Sequence, residues 1–215
     1  MSLFYSAVRV LASPPVGLYF GLGTRGRLRV PRRGGLLIAS NHVSYLDPLV
    51  LGCCAPRPLH FLARATLFRN PLFGALIGNL HSIPVRRGGA DRRAMASALE
   101  VLKRGQAMVL FPEGTRSASG RLMRGHPGVG HLALQADVPV ITAYVEGAHR
   151  AMPRGSVIPR PHRITVHWGE VRSPEEWLSL AEDEGEKQRP SDALVSVLMK
   201  DIARLGGQTS DSLAG

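Results

Sequence analysis

Two short stretches of this chain place residues capable of proton transfer and anion binding directly after apolar runs. The first is Asn41-His42-Val43-Ser44-Tyr45-Leu46-Asp47, which follows LLIAS at 36–40. A carboxylate on one imidazole nitrogen fixes the tautomer and leaves the other nitrogen free as a base. Five residues on a regular helix would put His42 and Asp47 on different faces, so their pairing requires a strand-to-helix turn that folds Asp47 back. Asp47 is the only acidic residue between Met1 and Ala90. Taken singly, each residue has a simpler account: Asp47 as the N-cap of a helix entered at Pro48, Asn41 as a turn residue, His42 as a buried imidazole. The second stretch is Phe111-Pro112-Glu113-Gly114-Thr115-Arg116-Ser117, after AMVLF at 107–111. Pro112 ends a strand, Gly114 lets a ligand approach the backbone, and Glu113 and Arg116 set opposite charges at a strand end, where α/β sheets bind ligands. The same residues would also make an ordinary turn with a surface ion pair.

Other chemistries find less support. Ser44 lies two residues from His42, where helix geometry would turn it away, and no Gly-x-Ser-x-Gly elbow exists. Cys53 and Cys54 are adjacent, cannot form a disulfide framework, and sit in an apolar helix as core residues. With no signal-like N-terminus, they point to a reducing compartment. The eight histidines are scattered, and His126/His131 and His162/His167 lack the usual company of zinc ligands, so no metal site is expected. Gly21-x-Gly23-x-x-Gly26, with Asp47 beyond it, matches a dinucleotide fingerprint. The following residues are turn and strand material rather than the helix that must present amides to a pyrophosphate, and the match is rejected.

The elements that must position these residues alternate. Residues 2–12 read as a short apolar helix stopped by Pro14-Pro15, and 27–30 as an edge strand. Strands are expected at 36–40, 59–63, 82–85, 107–111, 138–145 and 163–168. Helices are expected from Asp47, at 70–79, 91–104, 128–136, after the capping-box pattern Ser173-Pro174-Glu175-Glu176, and along the stripe Leu194, Leu198, Ile202, Leu205. The fold class is therefore α/β: one domain with a central, largely buried mixed sheet flanked by helices, at 25–205. A helical segment precedes it at 1–24, and a flexible tail follows at 206–215.

At 215 residues and 44% hydrophobic, the chain can build a core without staples. The formal net charge of +11 is unevenly spread: residues 1–160 carry 21 basic and 6 acidic side chains, residues 161–215 carry 6 and 10. A basic face of this kind attracts nucleic acid, anionic lipid or phosphorylated substrates. Only 6% of residues are aromatic and no nucleic-acid motif is recognisable, so no nucleic-acid partner is expected. No stretch reaches the ~20 apolar residues needed to span a bilayer.

Together the motifs resemble the glycerophospholipid acyltransferase family, most closely the bacterial 1-acylglycerol-3-phosphate (lysophosphatidate) acyltransferases. Asn41 to Asp47 matches its Asn-His-x-x-x-x-Asp block and Ile83-Pro84-Val85-Arg86-Arg87 its second block. Phe111 to Ser117 matches the third, continuing through Gly120-Arg121-Leu122. The fourth survives as Val138-Pro139-Val140-Ile141, with Thr142 where a second proline is usual. The resemblance covers about 35–147. It implies transfer of a fatty acyl group from acyl-CoA or acyl carrier protein, a substrate rather than a cofactor, to the sn-2 hydroxyl of 1-acylglycerol-3-phosphate, forming phosphatidic acid. His42 would be general base, oriented by Asp47. Arg87 and Arg116 would hold the substrate phosphate, with Glu113, Gly114 and Thr115 completing the substrate pocket. Arg86, Arg92, Arg93, Arg121 and Arg124 would form a positive approach surface. Leu3, Phe4, Leu11, Leu18, Tyr19 and Phe20 would associate with membrane lipid beside a basic flank at 25–33, as a peripheral or monotopic attachment to the cytoplasmic face of the cell membrane. Glycerol-3-phosphate or an aminolipid stand as alternative acceptors, and a basic nucleic-acid- or lipid-binding module as the non-enzyme alternative.

Overall fold

A computed structural model describes residues 3–86, 91–182 and 189–208. Seven strands form one sheet: β1 (Gly23–Arg25), β2 (Leu36–Ser40), β3 (Leu59–Arg64), β4 (Ser82–Val85), β5 (Ala107–Leu110), β6 (Val140–Glu146) and β7 (Thr165–Arg172), in spatial order β1-β7-β6-β2-β5-β3-β4. All neighbours are parallel except β6 with β7. The sheet is mixed, as expected. β2 and β5 are buried along their whole length, which is why they read as continuous apolar runs rather than alternating ones.

Helices cover both faces. Against one lie α1 (Leu3–Phe20) and α2 (Asp47–Cys54), packing Phe20, Val50, Leu51 and Cys54 onto Leu36, Ile38 and Val109. Against the other lie α4 (Arg92–Lys103), α5 (Gly128–Ala136), α7 (Pro174–Glu182) and α8 (Pro190–Leu205), packing Leu102, Leu132, Trp177 and Leu198 onto Leu37, Met108 and Val140. The short α3 (Pro71–Asn79) flanks β4, and a one-turn α6 (Ala148–Ala151) follows β6. Local signals set the ends: Asp91 accepts from the amides of Arg93 and Ala94 to start α4. Ser173 and Glu176 exchange reciprocal bonds to start α7.

Three expectations are corrected. The first helix runs through Pro14 and Pro15 to Phe20. Both prolines are exposed, so the carbonyls left without a donor, those of Val10 and Leu11, lie on the solvent side, where water can serve them. The edge strand is β1 at 23–25, while 27–29 is a single 3-10 turn opened by Gly26 at φ +73. A Cβ there would come within 2.6 Å of the Trp168 carbonyl oxygen, so Gly26 lets the chain turn tightly against β7. Finally, residues 206–208 are tied down: Gln208 accepts from the Leu122 amide and donates to the Tyr144 hydroxyl. Residues 209–215 of the expected tail lie outside the described residues.

Candidate active site

The site forms where three adjacent parallel strands, β5, β2 and β6, end on one edge. After β2 the chain crosses to β3 on one side, whereas after β5 it crosses over β2 to β6 on the other. That divergence opens a crevice beyond the strand ends. Asn41, the first residue past β2, spans it: its side-chain amide donates to the Val145 carbonyl at 3.1 Å and its oxygen accepts the Val145 amide at 2.7 Å.

Residues 41–46 are irregular, and this bend folds Asp47 back. Its Oδ2 lies 2.8 Å from His42 Nδ1 and accepts the backbone amides of Val43 and Ser44, each at 2.8 Å. Asp47 therefore caps the turn before it rather than α2, whose N-cap is Leu46 with no side-chain bond. A fully buried carboxylate can only accept, so the proton belongs on Nδ1 and Nε2 keeps its lone pair. No protein group of the described residues engages Nε2, and the imidazole remains 19% exposed. Phe111 stacks on the ring, 4.0 Å between centroids and 14° between planes, and holds its tilt. Ser44 turns away and donates its hydroxyl to the Met152 carbonyl.

Glu113, expected to line the substrate pocket, instead faces inward. One carboxylate oxygen accepts the His42 amide at 2.7 Å and the other the Met123 amide at 3.2 Å. Burial pushes this carboxyl up to about 7, against the two amides that favour its charge and with the help of nearby Asp47. It ties the loop after β2 to the loop after β5. The Ser117 amide adds a third tie, to the His42 carbonyl. Gly114 sits at φ +64, where a Cβ would press to 3.1 Å from the His126 ring; Thr115 is half-buried on the same turn.

Arg116 is buried beside this turn, its guanidinium 3.4 Å above the Tyr45 ring. Its Nη1 has no hydrogen-bond partner. A buried donor without an acceptor is costly unless a ligand supplies one. Tyr45, Phe111 and Met123 are parts of the site that residue types alone did not single out; their aromatic or apolar character reads as core. Arg87, expected to act with Arg116, lies outside the described residues.

Tyr45 and Met152 also border an apolar cavity of about 570 Å³ running between α1, α2, α3 and β3, lined by Tyr5, Val8, Leu49, Phe61 and Ile77 among others. Cys53 and Cys54 are not nucleophile candidates: burial pushes both thiols up, Cys54 to about 12. Phe20, expected among the membrane-associating residues, is buried in the core (4% exposed), and Tyr19 donates its hydroxyl to the Pro159 carbonyl. Leu3, Leu11 and Leu18 are largely exposed and Phe4 is partly so. Among the described residues no helix is long and apolar enough to cross a membrane, and no group of three or more His, Cys, Asp or Glu could hold a metal ion.

The chain is similar to a 1-acyl-sn-glycerol-3-phosphate acyltransferase of Limnanthes alba, 33% identical over 141 residues, which cover 64% of this chain and 50% of the relative. It is also similar to a lyso-ornithine lipid O-acyltransferase of Pseudomonas aeruginosa, 39% identical over 111 residues, covering 51% and 42%. The chain thus spans about half the length of these curated relatives. Its fold matches the crystal structure of the 1-acyl-sn-glycerophosphate (LPA) acyltransferase of Thermotoga maritima, with a TM-score of 0.70 at 20% identity over 93% of this chain and 80% of that one. The acyltransferase family model matches residues 23–146, from the first residue of β1 to the last of β6. That segment is more than half of the chain and contains His42, Asp47, Glu113 and Arg116, and the chain belongs to the acyltransferase family.

Proposed function

We propose that the chain transfers a fatty acyl group from an acyl thioester, acyl-CoA or acyl carrier protein, to the sn-2 hydroxyl of 1-acylglycerol-3-phosphate, forming phosphatidic acid. The observation that carries this reading is the placement, on one sheet edge, of a His42 Nε2 free to accept a proton and a buried Arg116 Nη1 free to donate to an anion. Nε2 takes the proton from the acceptor hydroxyl as its oxygen attacks the thioester carbonyl. Asp47 holds the imidazolium that results. Collapse of the tetrahedral intermediate breaks the carbon–sulfur bond, and the imidazolium returns the proton to the departing thiolate. No acyl-enzyme is required. Arg116, held over the Tyr45 ring, suits the bidentate demand of a phosphate, and the apolar cavity suits an acyl chain. The exposed leucines of α1, beside that cavity, support a peripheral or monotopic position on the cytoplasmic face of the membrane. The similarity to a lyso-ornithine lipid O-acyltransferase favours, as a second reading, an aminolipid acceptor.

The test is a panel with the purified protein: lysophosphatidate, glycerol-3-phosphate, lyso-ornithine lipid and lysophosphatidylcholine, each with acyl-CoA and with acyl carrier protein. Turnover of lysophosphatidate above the other acceptors is expected. Transfer to lyso-ornithine lipid alone would replace the first reading by the second.

A further inference from the structure

A second cavity, of about 720 Å³, opens on the same sheet edge as His42, over the ends of β6, β7 and β1. Its character is opposite to that of the apolar one. Arg25, Arg121, Arg150 and Arg163 line it, all four exposed. Among the described residues no carboxylate pairs with any of them. Glu146, the only acidic residue of the lining, is engaged by His167 (Nε2 to Oε2, 2.9 Å). His149, packed against Gly120, adds a buried Nδ1 with no hydrogen-bond partner. Unpaired guanidiniums converging on a concavity repel one another, and a ligand with several phosphate oxygens relieves that repulsion while filling their forks.

Elements of the site border both cavities. Loop 111–121 starts with Phe111 stacked on His42, ties Ser117 to the His42 carbonyl, and ends with Ser119, Gly120 and Arg121 on the basic wall. On the other side α6 gives His149 and Arg150 to the basic cavity, while Met152, just beyond it, borders the apolar one. The segments around His42 therefore reach an apolar cavity on one side and a basic cavity on the other. An acyl-CoA has this polarity along its length: a hydrocarbon chain, then the thioester, then a diphosphate and a 3′-phosphate on adenosine. A pantetheine borne by a carrier protein has a single phosphodiester, and its protein is too large to enter.

We infer that the cavity lined by Arg25, Arg121, Arg150 and Arg163 binds the phosphorylated adenosine end of coenzyme A, so that acyl-CoA is the donor. The volume lies within the ~300–1,000 Å³ typical of small-ligand sites. This inference rests on the acyl-thioester reading above but not on the identity of the acceptor.

The probe is adenosine 3′,5′-bisphosphate, with binding to the full chain followed by calorimetry. Arg150→Ala/Arg163→Ala removes two exposed side chains that make no hydrogen bond or ion pair among the described residues; Lys103→Ala/Arg104→Ala removes the same charge at the far end of the sheet. The bisphosphate should bind the parent protein and be displaced by coenzyme A. Binding should weaken by about tenfold or more in the first variant, from the loss of charge-assisted bonds, and stay within about twofold in the second. In turnover, the loss should fall on the acyl-CoA KM rather than on the acceptor KM. No binding by the parent protein, or equal weakening in both variants, would overturn the inference. So would displacement by inorganic phosphate as readily as by coenzyme A, which would make the cavity a simple anion site. Loss of binding to phosphatidylglycerol vesicles with nucleotide binding intact would make it a membrane-facing patch. An equal rise in the KM for acyl carrier protein would make it a carrier-docking surface. A protein that binds the bisphosphate and acylates no lysophosphatidate leaves this site standing and removes the acceptor reading. One that acylates lysophosphatidate with an unchanged acyl-CoA KM in Arg150→Ala/Arg163→Ala does the reverse.

Discussion

Asp47 sets its Oδ2 against three N–H groups and leaves Oδ1, also buried, without a partner. An asparagine can turn its carbonyl oxygen onto the three donors, which keeps the tautomer of His42 but removes the charge that would stabilise an imidazolium and sets an NH₂ in the buried Oδ1 position. His42→Ala is therefore expected to lower kcat by ~10³–10⁴, the upper range for loss of a general base, and Asp47→Asn by less. A steady-state comparison with both variants correctly folded checks the order, and near-normal turnover by His42→Ala would remove the mechanism. Arg116 is a different case, because a bond to the proposed substrate phosphate would be made before and during the reaction alike. Arg116→Ala should raise the acceptor KM by about tenfold or more with the donor KM little changed, and Arg116→Lys should recover only part, lacking the fork. Glu113 accepts one amide on each oxygen, so Glu113→Gln must point an NH₂ at one of those N–H groups. Both a lower melting temperature and a lower kcat are expected, and an unchanged melting temperature would mean that the brace is dispensable.

At the scale of elements, three stacked rings fasten α1 to the sheet. Tyr5 of α1 lies 4.8 Å from His81 before β4, and His81 lies 4.4 Å from His60 of β3, each pair within 9° of parallel. The Tyr5 hydroxyl also receives the Leu59 amide. Burial, and secondarily the charge of His81, holds His60 down to about 4, and burial lowers His81 as well. Between about 4 and the ordinary 6.5, the unfolded chain binds a proton at His60 that the folded chain does not, so stability falls as pH drops through that window. Glu113 acts with opposite sign: raised to about 7, it favours the folded state below its ordinary value and loses that contribution as pH rises through 7. The clean measurement is the difference in melting temperature between the parent and His60→Phe/His81→Phe, which should shrink or reverse as pH is lowered from 6.5 to 4. A constant difference would exclude the stack as the titrating element. On the opposite face, Thr142 stands where β6 shifts register against β7 and donates its hydroxyl to Asp201 of α8, which also binds Arg204. A register shift is where a proline is tolerated; here Thr142 instead clasps α8. Its hydroxyl is engaged by α8, so it is expected to bear on stability rather than on substrate. Thr142→Val should cost ~1–2 kcal/mol in denaturant unfolding and leave the acceptor KM unchanged.

For the whole molecule, exposed leucines project from α1, with Leu72, Phe73 and Leu76 also exposed on α3, whose Phe73 lines the apolar cavity. A surface of this kind, flanked by Arg9 and the basic stretch at 25–33, suits insertion among acyl chains with arginines against phosphates. Removing residues 1–20 would not test this, because Tyr5 and Phe20 belong to the core. Leu3→Ser/Leu11→Ser/Leu18→Ser leaves both in place. It should abolish sedimentation with anionic vesicles and lower turnover of vesicle-borne lysophosphatidate while sparing a soluble short-chain analogue. Parent binding should be only partly reversed by high salt, since screening acts on the arginines and not on buried leucines. Complete release by salt would show that nothing inserts.

The α/β alternation, the buried character of β2 and β5, and the ends of α4 and α7 follow from the sequence alone. Hydrophobic period, proline and capping residues act within a few residues of one another, and need no partner from elsewhere in the chain. The pairing of His42 with Asp47 was likewise within reach, because both lie on one turn. What the sequence could not determine depends on approach between distant segments. Pro14 and Pro15 were read as a stop, but the deciding quantity is which side of α1 faces solvent, and that is set by packing against α2 and the sheet. The resemblance places Glu113 in the substrate pocket; only the parallel pairing of β5 with β2 puts the amide of His42 within its reach. The meeting of Arg116 with Tyr45, and the gathering of Arg25, Arg121, Arg150 and Arg163 from four separate segments, likewise exist only once the sheet order is set. Strand order brings those side chains together, and no local rule encodes it.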